Sequence, residues 1–343
     1  MKTLLTNADQ QNIQYAGELL RQGEIVAIPT ETVYGIAADC TNQSAVEKIF
    51  LAKGRPQDNP LIVHIASRDM LEGVVARFPS RAQKLADAFW PGPLTLILPK
   101  GQKLCAATTA GLDSVGVRFP AHPVAQAVIL AAGVPLSAPS ANISGKPSPT
   151  SAEDVFSDMD GRLPLVLDGG DCNAGVESTV LSLLDDVPVL LRPGYVTKEQ
   201  IEQVLGTPIS VAKAICEQVQ PQEKVLSPGM KYRHYAPEAE LVLLRGSFAE
   251  FADYVGGKNE QNAYCLCFDG EEDKLPMPAF PYGKEGDGAA QAHSIFKLLR
   301  HLDKIGAQKV YVRCPQSQGV SLAVYNRLLR AAAFRIIELS HKN

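Results

Sequence analysis

Between residues 24 and 183 the chain repeats one event: a short apolar run that is cut off by Pro, Gly, Ser or Thr. EIVAIPT (24–30), LIVHIA (61–66), LTLILP (94–99), SVGVRFP (114–120), VPLSAPSAN (134–142), LPLVLDGG (163–170) and STVLSL (178–183) all have this form. Runs this short, rich in Val, Ile and Leu, read as buried strands. Helical periodicity separates some of them: ADQQNIQYAGELLRQ (8–22) before Gly23, TNQSAVEKIFLAKGRP (41–56) with Asn42 or Ser44 near its cap and Gly54 and Pro56 at its end, SRAQKLADAFW (80–90), and HPVAQAVILAAG (122–133). Several strands follow one another with no helix between them. A purely parallel sheet needs a crossover at every step, so the pattern predicts a twisted, mixed α/β sheet.

A chain of 343 residues can bury a large core and suits two domains. The strand–helix rhythm breaks after about residue 205. ISVAKAICEQVQPQEKVLSPGMKYRHYAPEAE (209–240) has three prolines and few large apolar clusters, and reads as a linker. A second rhythm then opens: LVLL, AYCLCF and KVYVRC as strands, alternating with SFAEFADYV, AQAHSIFKLLRHLDKIG and SLAVYNRLLRAAAF as helices. The expected division is a first domain over 1–205, a linker over 206–240, and a small βαβ-type domain over 241–343. A net charge of −4 argues against coating nucleic acid by bulk electrostatics, although it leaves room for a local basic groove. The seven cysteines are scattered without a C-x-x-C pair, which points to reduced thiols in a cytoplasmic protein, with no zinc site and no disulfide framework. The N-terminus turns polar too soon for a signal peptide, and no apolar run nears the roughly 20 residues of a membrane span.

The chemistry-bearing residues gather where strands end. KGRPQDNPLIVH (53–64) sets Lys53, Arg55, Asn59 and His64 around a Pro-broken loop that leads into a strand. Lys offers a mobile point charge and Arg a rigid fork for phosphate oxygens, although a solvated turn would carry the same residues. PTETVYG (29–35) places Thr30, Glu31 and Thr32 after a strand, and SAPSANISGKPSPT (137–150) is rich in hydroxyls that could cradle an anion. Arg118 lies inside a strand-like run, where a buried cation must find a partner. GVESTVLSL (175–183) and LLRPG (190–194) add Glu177, Ser178, Thr179 and Arg192. There is no P-loop, no convincing G-x-G-x-x-G after a strand, no G-x-S-x-G elbow and no H-x-x-x-H pair. The clusters therefore suit an anionic ligand bound by none of those devices.

Taken in order, PTETVYG, KGRPQDNPLIVH, WPGPLT, the Arg118 strand, APSAN, GVEST, LLRPG and SPGMKYRHYAP closely resemble the YrdC-like family, and within it the two-domain threonylcarbamoyl-AMP synthases. The motifs span roughly 25–240, and the tail fits by length and pattern. The resemblance implies a twisted mixed sheet around a concave, positively charged cavity. It also implies a reaction in which L-threonine, bicarbonate and ATP give threonylcarbamoyl-adenylate, pyrophosphate and water. Other proteins would then transfer the threonylcarbamoyl group to the tRNA adenosine beside the anticodon.

Carried over by position, Lys53, Arg55, Ser140 and Asn142 match the family's signature around the nucleotide, with Lys53 and Arg55 as the expected catalytic cations. Asn59, Ser114, Ser148, Arg192 and Tyr235 match expected ATP contacts. Thr32, His64, Arg118, Ala138 through its backbone, and Ser178 match expected threonine contacts. Mg2+ is expected to ride on the ATP phosphates, and SPGMKYRHYAP to fold over the site as a lid. Two other readings stay open at this point. One is a double-stranded RNA-binding or ribosome-maturation factor without adenylate synthesis, against which the net acidity counts. The other is a carbamoyl-handling domain like those of hydrogenase maturation, whose zinc-type cysteines and further domains are absent here.

Overall fold

The computed structural model describes residues 2–217 and 235–339. It divides into two compact units, the first running to Ile215 apart from Gly145–Pro147, the second containing the chain from Tyr235 onward.

In the first unit the strands are β1 (Leu4–Asn7), β2 (Val26–Ile28), β3 (Gly35–Asp39), β4 (Ile62–His64), β5 (Leu94–Pro99), β6 (Ser114–Arg118), β7 (Leu136–Ser137), β8 (Leu165–Asp168), β9 (Thr179–Ser182), β10 (Val189–Arg192) and β11 (Ser210–Val211). They form one mixed sheet in the order β1-β8-β2-β3-β7-β4-β6-β5-β9-β10-β11. Parallel pairs such as β4–β6 and β5–β9 alternate with antiparallel pairs such as β5–β6 and β9–β10. The mixed sheet expected from the consecutive strands is the one found. β11 extends this sheet by pairing with β10, so ordered structure of the first unit continues past residue 205.

The helices are α1 (Gln10–Arg21), α2 (Gln43–Lys53), α3 (Ser80–Phe89), α4 (Ala106–Thr109), α5 (Pro123–Ala132), α6 (Ala152–Met159) and α7 (Lys198–Leu205). Their ends are written in the sequence. Asn42 caps α2 by accepting from the Ala45 N–H, and Gly54 closes it in the left-handed region at φ 59°. Lys53 is thus the last helical residue of α2, where its charge complements the helix dipole. α1 and α5 bury Ala16, Leu20, Val128 and Ile129 with Val26, Ile28 and Leu165 of the sheet. Alternate residues of the same strands, Ala27, Ile36 and Val166, pack with Val46, Ile49, Phe50 and Val155 of α2 and α6. One half of the sheet is therefore covered on both faces, as period-2 strands between amphipathic helices require.

The second unit carries β12 (Glu240–Arg245), α8 (Phe248–Gly256), β13 (Ala263–Cys267), β14 (Ala279–Pro281), α9 (Gly288–Lys304), β15 (Lys309–Arg313), α10 (Ser321–Ala331) and β16 (Ile336–Glu338). Its sheet, β14-β13-β15-β12-β16, is parallel throughout, the βαβ form expected. Cys265 and Cys267 are both buried in β13. Among the described residues no helix is long and apolar enough to cross a membrane.

Gly17 in α1 lets α5 approach closely: a Cβ there would lie 2.7 Å from the backbone carbon of Ala131. Ala at a helix interior is worth about 1 kcal/mol over Gly by propensity alone. Overpacking against backbone costs about 1–3 kcal/mol, so it should win. Gly17→Ala is therefore expected to lower the melting temperature by several degrees, measured by thermal denaturation; a rise would show that α5 moves aside freely.

Candidate active site

Three strands in register build the centre of the site. His64 of β4 lies beside Arg118 of β6, and Arg118 lies beside Thr95 of β5. Registered neighbours project to the same face, so these three side chains form one polar row. Two residues back along each strand the same face carries Ile62, Gly116 and Ile97. Ser114 stands at the far end of β6, about 13 Å from Arg118 at strand rise.

The Arg118 end is a hydrogen-bonded cluster. Thr30 Oγ1 donates to Val33 O at 2.7 Å, so the Thr32 hydroxyl donates to Thr30 Oγ1 at 2.8 Å. Thr32 Oγ1 then accepts from Arg118 Nη1 at 2.9 Å. Glu31 Oε1 forms an ion pair with Arg118 Nη2 at 2.8 Å. Burial works to raise the Glu31 carboxyl, but the charge and hydrogen bonding of Arg118 and nearby backbone N–H groups hold it below the usual range. Arg118 Nε and Nη2 are buried without a well-aligned hydrogen bond. These two groups are the side-on fork that grips a carboxylate bidentately. His64 is fully buried, and desolvation with the nearby Arg118 charge pushes it down to about 3. Its Nδ1 lies 3.1 Å from Ile62 O, so a neutral ring donating there leaves Nε2 as an acceptor.

Ser178 and Arg192 join this end through β5 and β9. Ser178 Oγ lies 2.8 Å from Thr95 Oγ1, and Arg192 donates to Ser178 O at 3.1 Å and to its Oγ at 3.2 Å. Beside them the buried Ser148 hydroxyl donates to Glu177 at 2.5 Å. Ala138 N donates to Ile62 O at 3.0 Å, which ties β7 to β4 and sets its backbone along the same trough.

At the other end Lys53 is only 2% exposed. Its Nζ donates to Ser140 O, to Asn142 O at 2.7 Å and to Asn142 Oδ1 at 3.4 Å. The Ser140 hydroxyl donates to the same Oδ1 at 2.6 Å. Lys53 thus shapes the Ser140–Asn142 loop while bringing its charge to it. Arg55 is half-buried, with Nη2 at 3.4 Å from Asn59 O and 3.5 Å from Pro60 O. Asn59 is 1% exposed, and neither its Oδ1 nor its Nδ2 has a hydrogen bond. A buried amide left unsatisfied costs about 1–3 kcal/mol, which makes Asn59 a candidate ligand contact.

Backbone contacts join the loops: Tyr34 N to Pro149 O at 3.0 Å, Ala141 N to Tyr34 O at 2.8 Å, and Ala174 N to Glu31 O at 2.8 Å. Thr32, Lys53, Arg55, Asn59, His64, Ser114, Arg118, Ala138, Ser140, Asn142, Ser148, Ser178 and Arg192 all lie in the first unit, with Thr32 bonded to Arg118, Ser178 to Arg192, and Lys53 to Ser140 and Asn142. Tyr235 lies in the second unit, buried, with its ring 5.3 Å from that of Phe296 and Arg327 5.7 Å above it. The rest of the expected lid SPGMKYRHYAP up to that residue, 227–234, lies outside the described residues. Glu31, Thr95 and Glu177 were not singled out as ligand contacts from sequence. The one signal for Thr95 was a hydroxyl interrupting the apolar run LTLILP. Among the described residues no three His, Cys, Asp or Glu gather to hold a metal.

Comparison with known proteins decides the family. A profile described as "Telomere recombination" matches residues 18–194, and one described as "Threonylcarbamoyl-AMP synthase, C-terminal domain" matches residues 196–333. Threonylcarbamoyl-AMP synthase of Bacillus subtilis is 48% identical across 97% of this chain and 96% of its own. The chain belongs to the threonylcarbamoyl-AMP synthase family. Its relative of that name in Pyrococcus abyssi is 43% identical over 96% of this chain and 97% of its own. A crystal structure of P. abyssi Sua5 complexed with L-threonine superposes with a TM-score of 0.90 at 41% identity, covering 98% of this chain and 99% of the other. The family expected from the ordered motifs is the one found.

The buried His64 gives this synthase a pH signature. Its proton is refused by the folded protein down to about pH 3 but accepted by the unfolded chain below its ordinary value of 6.5. The unfolded state binds more protons in that window, so stability falls as pH drops from about 6.5 toward 3. His64→Gln is expected to flatten this slope by about one proton, read from urea denaturation between pH 4 and 7; an unchanged slope would show that the ring protonates in place.

Proposed function

We propose that the protein synthesises L-threonylcarbamoyl-adenylate from L-threonine, bicarbonate and ATP, with release of pyrophosphate, as a nucleotidyltransferase. The observation that carries this is the buried Arg118, whose Nε has no hydrogen bond and whose Nη2 pairs with Glu31, together with the unsatisfied amide of the buried Asn59. An amino-acid carboxylate fits the fork, with Thr32, neutral His64, Ser178 and the Ala138 backbone reading the amine and hydroxyl. Lys53, Arg55, Asn59, Ser114, Ser140, Asn142, Ser148 and Arg192 then take the nucleotide, and Tyr235 is kept as a further ATP contact.

In this reading the threonine amine adds to bicarbonate-derived carbon to give an N-carboxylate, and water is lost. The carboxylate oxygen attacks the α-phosphorus of ATP in line as pyrophosphate departs. Transfer at phosphorus chiefly needs alignment and neutralisation of charge, which Lys53, Arg55 and Arg192 supply. Mg2+ accompanies the ATP phosphates, and no cage of protein ligands is assigned to it. The product passes to proteins that transfer the threonylcarbamoyl group to tRNA in the cytoplasm. Full-length relatives that carry the synthase name, and one structure titled as holding L-threonine, support this reading and not the RNA-binding alternative.

The test is pyrophosphate release from ATP with bicarbonate, expected to depend on L-threonine. Arg118→Lys, which keeps the charge and loses the fork, is expected to raise the KM for threonine at least about 10-fold and leave the KM for ATP near its original value. No response to threonine in the wild type would overturn the proposed reaction.

A further inference from the structure

We infer that Glu31 is a specificity-determining residue of the amino-acid pocket, and that its carboxylate receives the α-ammonium group of the substrate. The inference rests on the threonine-site reading above and deepens it. An amino acid carries opposite charges on groups attached to one carbon, so a site that reads both needs a cation and an anion side by side. Arg118 and Glu31 are such a pair, 2.8 Å apart and buried within the same cluster.

Three features set Glu31 apart from a carboxylate that merely neutralises Arg118. It is the more accessible partner, with 14% of its side chain exposed against 5% for Arg118, and its two oxygens are buried beside the guanidinium, where a substrate held by Arg118 would meet them. Its Oε1 pairs with Arg118 Nη2 at 2.8 Å, and a carboxylate can accept about four hydrogen bonds, so acceptor capacity is left over. The remaining ionisable neighbours offer no competing cation. His64 and His122 are both held below the ordinary histidine value, chiefly by desolvation, and stay neutral near pH 7, while Cys172 is pushed up to about 12 by burial. Glu31 thus keeps spare acceptor capacity beside the guanidinium that would hold the substrate carboxylate.

The arrangement has a consequence for selectivity. A hydroxy acid of the same shape fills the fork but leaves the Glu31 carboxylate facing an apolar C–H, which forfeits a charge-assisted contact and keeps a buried anion unsatisfied. Once the amine becomes an N-carboxylate, attraction to Glu31 turns to repulsion, which favours placing the new oxygen toward the cations at the nucleotide end.

The experiment compares L-threonine with (R)-3-hydroxybutyrate, which lacks only the amino group, by calorimetric binding to the full-length protein. Wild type is expected to prefer threonine by about 10- to 100-fold or more. Glu31→Gln should reduce this ratio at least about 10-fold, mainly by weakening threonine, with ATP affinity unchanged. Equal weakening of both ligands would assign Glu31 only to holding Arg118 and overturn the inference, as would a wild-type ratio near one. If Glu31→Gln does not fold, Glu31→Asp draws the charge back by one methylene; an intermediate ratio supports the inference and an unchanged one overturns it. Threonine-dependent pyrophosphate release by the wild type separates the two levels: without it the proposed function fails, and with it only the role of Glu31 is at stake.

Discussion

The register of β4, β6 and β5 is the constraint on which the site depends. Because His64, Arg118 and Thr95 are mutual neighbours across three strands, one row delivers an acceptor, a fork and a hydroxyl to a single face. A slip of one residue would send Arg118 to the opposite face, away from Thr32 and Glu31. The apolar alternation that specifies this register belongs to the same strands, with Val63, Val117 and Leu96 buried at the intervening positions. Core packing and ligand geometry are therefore one decision.

Around that row the buried cations Arg118 and Lys53 do different work. Arg118 pairs with Glu31 and donates to Thr32, joining the loop after β2 to β6. Lys53 directs hydrogen bonds to Ser140 O, Asn142 O and Asn142 Oδ1, holding the loop that follows β7. Rigid placement of this kind is what transfer at phosphorus needs, since the protein contributes alignment and fixed charge more than covalent chemistry.

Much of this was legible along the chain. Asn42, Gly54 and Gly133 mark helix ends because capping and left-handed closure are local chemistry. Arg118 in an apolar strand announced a buried cation that needed a partner. What stayed hidden needed a second segment to give it meaning. β1 is four residues long and becomes a strand only because β8, some 160 residues away, pairs with it. Thr95 looked like one hydroxyl in a strand until Ser178 arrived 2.8 Å away. Glu31 stood in a polar turn, and its role depends on a fork 87 positions further on.

From its residues alone the chain determined its class, its helix ends, its strands and the list of polar side chains gathered at strand ends, because these follow from periodicity, capping and the cost of burying charge. Tertiary structure alone decided which of those side chains meet, which cation pairs with a carboxylate and which one holds a loop. The reason is that strand order and register arise from long-range packing, and a hydrogen bond of 3 Å cannot be read from residues that are a hundred positions apart.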